Sequence, residues 1–449
     1  MGVQALDRIE QRILDQIDAH REEILTFARD IYTHAELGYK EFRTSEKFAE
    51  ALQKQNLTSI QRELAVTGVK GYLKDPANTE GPTVALIGEM DALRIPAHRC
   101  ANPETQGAHC CGHHAQLAGV FGAVFALTDP EVADSLDGNV VFFAVPAEEY
   151  GEIEFKNQLL KEGKIRYGGG KCELIRIGAF DDIDLSVAHH IGFEGLEVGN
   201  PSSNGFVSKV VRILGRASHA AAAPHKGINA LNAAALGHSA LQYQRETFRD
   251  ADTVRVHPIM TKGGDLVNVI PDEAVLEILV RARNLEAITD ASAKTDRSYR
   301  AGADALGAGY EIQTMPGYLP QIPSPAHPAV LTAAELVAPG KAVPVDTTVH
   351  TTASTDLGDL EHIQPVLCFR TGGAVGTIHS PAFDIVDEEE AYIQTAKIFA
   401  LSAYHLLRNH AEQAIQTVEE YEPVFTRESY VEFMESQIRT QKKEAETLG

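Results

Sequence analysis

Cysteine is scarce in this chain, basic residues are outnumbered, and long apolar runs are missing. Only five cysteines occur in 449 residues, at positions 100, 110, 111, 172 and 368. So sparse and odd a set is not a disulfide framework and suits a reducing compartment. Lys and Arg number 40 against 63 Asp and Glu, a formal charge of −23. Nucleic-acid phosphates and an anionic membrane surface would both repel such a chain. No apolar run approaches the roughly 20 residues needed to cross a bilayer. Residues 1–21 have neither the basic start nor the apolar core of a signal peptide, so the expected location is the cytoplasm. No internal repeat or low-complexity tract is present. What remains is an ordinary globular composition, 44% hydrophobic and 23% charged, long enough for two or three domains. The expected partner is a small molecule.

Against this background one stretch stands out. His109-Cys110-Cys111-Gly112-His113-His114 concentrates three histidines and two cysteines at a glycine turn. A thiolate and an imidazole so placed could reach one metal ion. Taken alone, a buried cysteine pair with satisfied histidines explains the cluster equally well. Three further groups narrow the choice. Glu148-Glu149 follows an apolar run, and adjacent carboxylates repel unless a cation lies near. His189-His190 follows the next such run, and His379 lies in Gly376-Thr377-Ile378-His379-Ser380-Pro381. Each is ambiguous alone; together they require several coincidences at strand ends.

The order of elements supports convergence. Apolar residues at three- and four-residue spacing predict two helices over 6–54, around a turn at 32–39. Strands are expected at 68–73, 84–87, 138–145 and 184–188, with a small-residue helix at 117–127. Strands alternating with helices imply a mainly parallel, helix-covered sheet, whose active residues gather at the carboxyl ends of strands. Asp91, Glu148, Glu149 and His190 occupy such positions. The charged segment 150–167 reads as a surface excursion beside the site, or as an ordinary helix and loop. From 206 to 315 the order becomes strand–helix–strand–strand–helix–strand, which suggests an inserted ferredoxin-like α+β sandwich. The expected division is a catalytic domain in two parts, 1–205 and 316–449, around a satellite at 206–315. A helical tail closes the chain, its last ten residues frayed.

These motifs resemble the di-metal aminoacylase–carboxypeptidase family, in the branch of hippurate, indole-acetyl-amino-acid and aminobenzoyl-glutamate hydrolases. The resemblance runs from about residue 24 to 410. It is carried by His109–His113 as His-x-Cys-Gly-His, Pro146-Ala147-Glu148-Glu149, Gly215 to Ala221, Asn268 to Pro271, and His379-Ser380-Pro381-Ala382-Phe383. It implies a zinc-peptidase-like α/β catalytic domain with a satellite serving as lid and dimerisation module. It further implies two divalent ions, Zn or Mn with Co possible. Cys111 would bridge them, with Glu149 and His379 on one and His113 and His190 on the other. Glu148 would be the general base, Asp91 would orient His113, His219 would stabilise the oxyanion across a homodimer, and Asn268 would touch substrate or be a turn residue. The implied reaction is hydrolysis of a C–N bond in a small N-acyl or N-aroyl amino acid by a metal-activated water. Hydrolytic deamination of an amino-aromatic acid, as in 5-nitroanthranilate aminohydrolase, is the rival reaction, and a non-catalytic metal-bound binding protein is the rival class. The branch usually has Asp and His where this chain has His114 and Gln116.

Overall fold

The computed structural model describes residues 6–57, 59–193 and 195–447. It divides into two compact units: Met1–Ser202 with Ile322–His350 and Asp359–Arg427, and Ser203–Gln321 with Thr351–Gly358 and Glu428–Gly449.

The first unit is built on an eight-stranded sheet. Its centre is four parallel strands in the order Asn139–Val145, Thr83–Glu89, Leu185–Ile191 and Val366–Thr371. These strands are almost wholly buried on both faces, which is why they read as continuous apolar runs. Ile60–Leu64 and Gly68–Tyr72 extend one edge antiparallel. The helix His113–Leu127 is apolar all round and buried at every residue. It packs closely on Thr395–Leu407, because a Cβ at Gly119 would lie 2.4 Å from Thr395 Cγ2.

The N-terminal segment differs from expectation. It forms three helices, Arg8–Ala19, Arg21–Thr33 and Phe42–Lys54. The extra break falls at His20, whose Nδ1 lies 2.8 Å from the Gln16 carbonyl at the end of the first helix.

The second unit contains Gly205–Leu214, Ala230–Gln244, Arg255–Lys262, Glu273–Ala282, Leu285–Ala305 and Gly309–Pro316 in chain order. Its antiparallel sheet runs Arg255–Lys262, Glu273–Ala282, Gly205–Leu214, Gly309–Pro316, then a fifth strand, Arg439–Lys443. That last strand departs from the sequence reading, which placed the tail with the catalytic part and had its end frayed. Residues 439–443 pair with 310–314, and Arg439 and Gln441 both donate to Asp296. An edge strand offers unpaired backbone groups, and the charged tail satisfies them. Residues 448 and 449 lie outside the described residues.

Candidate metal centre

The parallel strands deliver their carboxyl ends to one place. Asp91 follows Thr83–Glu89, Glu148 and Glu149 follow Asn139–Val145, and His190 lies near the end of Leu185–Ile191. Gly112 turns the chain into the helix at His113 with φ +87°, and a Cβ there would sit 2.1 Å from Ile191 Cγ2. Gly112→Ala is therefore expected to cost about 2–4 kcal/mol through clash and backbone strain. Urea midpoints read the loss, and Ile191→Ala added to it restores only the steric part.

Two groups of side chains share Cys111. Cys111, His113 and His190 form one, Cys111, Glu149 and His379 the other, with ligand atoms in each within 4.8 Å of one another. Cys111 Sγ is 3.4 Å from His190 Nε2, and Glu149 Oε1 is 3.0 Å from His379 Nε2. Two donors bound about 2.1 Å from one ion are about 3.0 Å apart at a right angle and about 3.4 Å at the tetrahedral angle. The observed separations are those of neighbouring ligands. His113 Nδ1 faces the Asp91 carbonyl at 2.9 Å and Oδ1 at 3.2 Å, while His190 Nδ1 lies 2.9 Å from the Ile191 carbonyl. Both rings thus turn Nε2 inward, with the second nitrogen held as metal-binding histidines require. His113 Nε2 and Glu149 Oε1 are buried without a hydrogen-bond partner. Orphaned buried atoms of this kind are what a cation satisfies. Burial, then Glu149, raises the Cys111 thiol well above its ordinary value, so a thiolate there needs positive charge nearby.

A carboxylate shell surrounds this centre. Asp91 Oδ2 accepts from the Glu149 N–H at 2.8 Å. Burial alone would raise its pKa, but the hydrogen bond and charge of His113 outweigh burial and lower it. Glu148 Oε2 is 3.8 Å from His113 Nε2. Lys156 is buried and donates to the Glu149 carbonyl at 2.8 Å, with its ammonium 4.7 Å from the centre of the Tyr150 ring. The 150–167 segment is thus partly interior: its helix Ile153–Lys161 supports the Glu149 turn from behind.

Glu41 braces the same turn. It is fully buried, and it accepts from the Ala147 N–H at 2.8 Å and from Thr67 Oγ1 at 2.7 Å. Ala147 itself has φ +49°. Burial first, then Asp91, raises Glu41 from 4.5 to about 8. The folded state therefore holds this proton more tightly than the unfolded chain. The stability it contributes is present below about pH 4.5 and is lost as pH rises through about 8. Glu41→Gln is expected to flatten this fall, as urea midpoints at about pH 5 and about pH 8.5 will show.

Other residues of the motifs lie elsewhere. His189 faces away from His190 and meets Thr371 Oγ1 at 2.8 Å, as strand alternation requires. His109 is buried with neither ring nitrogen partnered, its ring 5.1 Å from that of His114, and burial holds its pKa near 3. His114 Nε2 meets the Tyr392 hydroxyl at 3.0 Å. His219 and Asn268 belong to the second unit, where the Ala220 N–H donates to the Asn268 carbonyl at 2.9 Å and both side chains are exposed. Glu89, His113 and Glu148 form a third group of candidate ligands. Glu89 was missed by sequence reasoning, although its two-residue offset from Asp91 at a strand end was a usable signal.

A model of Peptidase family M20/M25/M40 matches residues 85–405, well over half of the chain. The chain belongs to this family. Among its relatives, N-acetyl-L-cysteine deacetylase of Bacillus subtilis (strain 168) is 26% identical, with 88% of this chain and 90% of that one covered. Xaa-Arg dipeptidase of Mus musculus is 29% identical over 69% of this chain, and a p-aminobenzoyl-glutamate hydrolase polypeptide of Escherichia coli (strain K12) is 28% identical over 62%. The matches span 66% and 54% of those two proteins. A hydrolase of C–N bonds, the class expected from the sequence, is the class these M20 names carry. The solved structure of a dinuclear metal-binding M20 peptidase from Bacillus subtilis superposes with a TM-score of 0.58 at 22% identity, covering 87% of this chain and 99% of that one. It shares the fold. Among the described residues, no helix is long and apolar enough to cross a membrane.

Proposed function

We propose that this M20 chain is a metal-dependent amidohydrolase that cleaves the C–N bond of a small N-acyl or N-aroyl amino acid or a related compound. The observation that carries this reading is the sharing of Cys111 by two ligand groups with the Glu148 carboxylate alongside. Cys111 would be shared by both ions, Glu149 and His379 would hold one, and His113 and His190 would hold the other. Thiolate, imidazole and carboxylate donors fit Zn²⁺ or Mn²⁺, with Co²⁺ a third candidate. When bound, two such ions supply a Lewis acid for the scissile carbonyl and lower the pKa of water. Glu148 takes the proton of the attacking water and delivers it to the leaving amine. Asp91 fixes the tautomer of His113. His219 stabilises the developing oxyanion across a homodimer, and Asn268 offers a polar contact to substrate. Exposed Leu236, Tyr243, Ile259 and Met260 on that unit support self-association, two of them on the edge strand Arg255–Lys262. The −23 charge and the sparse cysteines support a cytoplasmic enzyme of small metabolites.

The names of the relatives point to acylated amino acids, dipeptides and aminobenzoyl-glutamate as the substrates to try. His114 and Gln116, which depart from the branch pattern beside the centre, keep deamination of an amino-aromatic acid as the second reading. A panel of both substrate classes, run with defined metals after chelation, tests the proposal. Release of free amino acid from acyl-amino acids supports it. Ammonia release from substituted anthranilates, with acyl-amino acids untouched, replaces it with the deaminase. Bound ions with no turnover of either class would leave a binding protein.

A further inference from the structure

The mechanism above makes no use of Glu89, which is buried at the end of its strand with its carboxylate turned to the inward nitrogen of His113. Glu89 Oε2 lies 3.1 Å from His113 Nε2, yet that nitrogen has no hydrogen-bond partner. In a neutral His113 whose Nδ1–H serves Asp91, Nε2 would turn a lone pair to the Glu89 oxygen, and 3.1 Å is the separation of two ligands on one ion. We propose that Glu89 Oε2 is a sixth protein ligand of the centre, on the ion held by His113 and His190. The proposal rests on the two-ion reading above.

The surroundings of Glu89 hold it in place for this role. Lys171, with no exposed surface, donates to Oε1 at 2.5 Å. Gln116 donates to Oε2 at 2.7 Å and accepts from the Glu89 N–H at 3.2 Å. These bonds engage both carboxylate oxygens and orient Oε2 towards His113. Position 116 is one of those at which this chain departs from its branch, and the amide placed there serves Glu89 with both of its ends. A buried lysine is costly to hold unless its partner is fixed beside it, so Lys171 and Glu89 form one unit. Lys171 and Gln116 are positioning residues; the ligand is Glu89. An added hard oxygen moves the His113–His190 side of the centre towards manganese.

The test counts ions in the full-length chain after chelation and reloading with Zn²⁺ or Mn²⁺, with affinities from a competing chelator. The parent is expected to hold two ions. Glu89→Gln should keep one at unchanged affinity and hold the other at least about 10-fold more weakly, with Lys171→Met showing a smaller loss. A crystal structure of the zinc-loaded parent should place an ion about 2.0–2.2 Å from Glu89 Oε2. Two ions at parental affinity in Glu89→Gln would overturn the proposal. So would an ion well beyond bonding distance of Oε2, which would leave Glu89 as a counter-charge for a protonated His113. If Glu89→Gln fails to fold, the parent crystal decides. A parent that binds no divalent ion would overturn the two-ion reading itself, a different result from either.

Discussion

Glu148→Gln is expected to bind both ions as the parent does and to lose at least about 10³-fold in kcat, with little change in KM. The amide keeps the size and polarity of the carboxylate but cannot accept the proton of the attacking water. Glu148 stands with Glu89 and His113 in the third group but belongs to neither group that shares Cys111, and the amide keeps an oxygen donor, so metal content should be unaffected. Its carboxylate is only about a tenth exposed and lies 3.8 Å from His113 Nε2, within one water of the ligand atoms. The loss should appear at every pH, because no protonation state of an amide serves as a base. Metal analysis beside steady-state kinetics on the best substrate of the panel checks both halves. Unchanged turnover with both ions in place would remove the enzymatic assignment, since no other carboxylate has been given the proton-transfer role.

Removal of the shared sulfur should have the other large effect. Cys111→Ala deletes the one atom common to both ligand groups, which leaves Glu149 and His379 on one side and His113 and His190, with the proposed Glu89, on the other. Even altered partners of metal ligands cost about 10–100-fold in metal affinity, so loss of a bridging ligand should cost more on both ions. Less than one ion per chain should survive gel filtration in chelator, and activity should vanish with it. The neighbouring Cys110 is an internal control: its side chain is buried and belongs to neither group, so Cys110→Ala should keep both ions. Brief chelation of the parent should likewise abolish activity, and added Zn²⁺ or Mn²⁺ should restore it. A Cys111→Ala protein that keeps two ions would show that the bridge is another group.

Much of the centre is legible in the sequence. His113, Glu149, His190 and His379 are far apart in the chain, yet each stands next to a glycine, a strand end or a proline turn that the sequence displays. Period-two and continuous apolar runs located three of the four central strands, and position after a strand end singled out Asp91, Glu148 and Glu149. Local pattern failed where the partner was distant. Lys156 and Lys171 look like surface lysines in charged or glycine-rich stretches. Lys156 turned inward because the Glu149 carbonyl needed a donor, and Lys171 because Glu89 needed a counter-charge. The tail read as helix with a frayed end, and its last strand could not be foreseen because its pairing partner, residues 310–314, lies far back in the chain.

By itself, then, the sequence determined the α/β class, the metal-binding chemistry and the residues at which to look for it. These depend on side-chain type and on hydrophobic period, which the chain carries locally. The resemblance had already given Cys111 to both ions and His190 to one of them; tertiary structure alone decided that Lys156 turns in beneath Glu149, that Glu89 stands beside the centre on Lys171, and that residues 439–443 extend the second sheet. Each of those is a question of a few ångströms between groups that local pattern does not bring together. Only the packed core, with its single register and its buried charges paired, answers it.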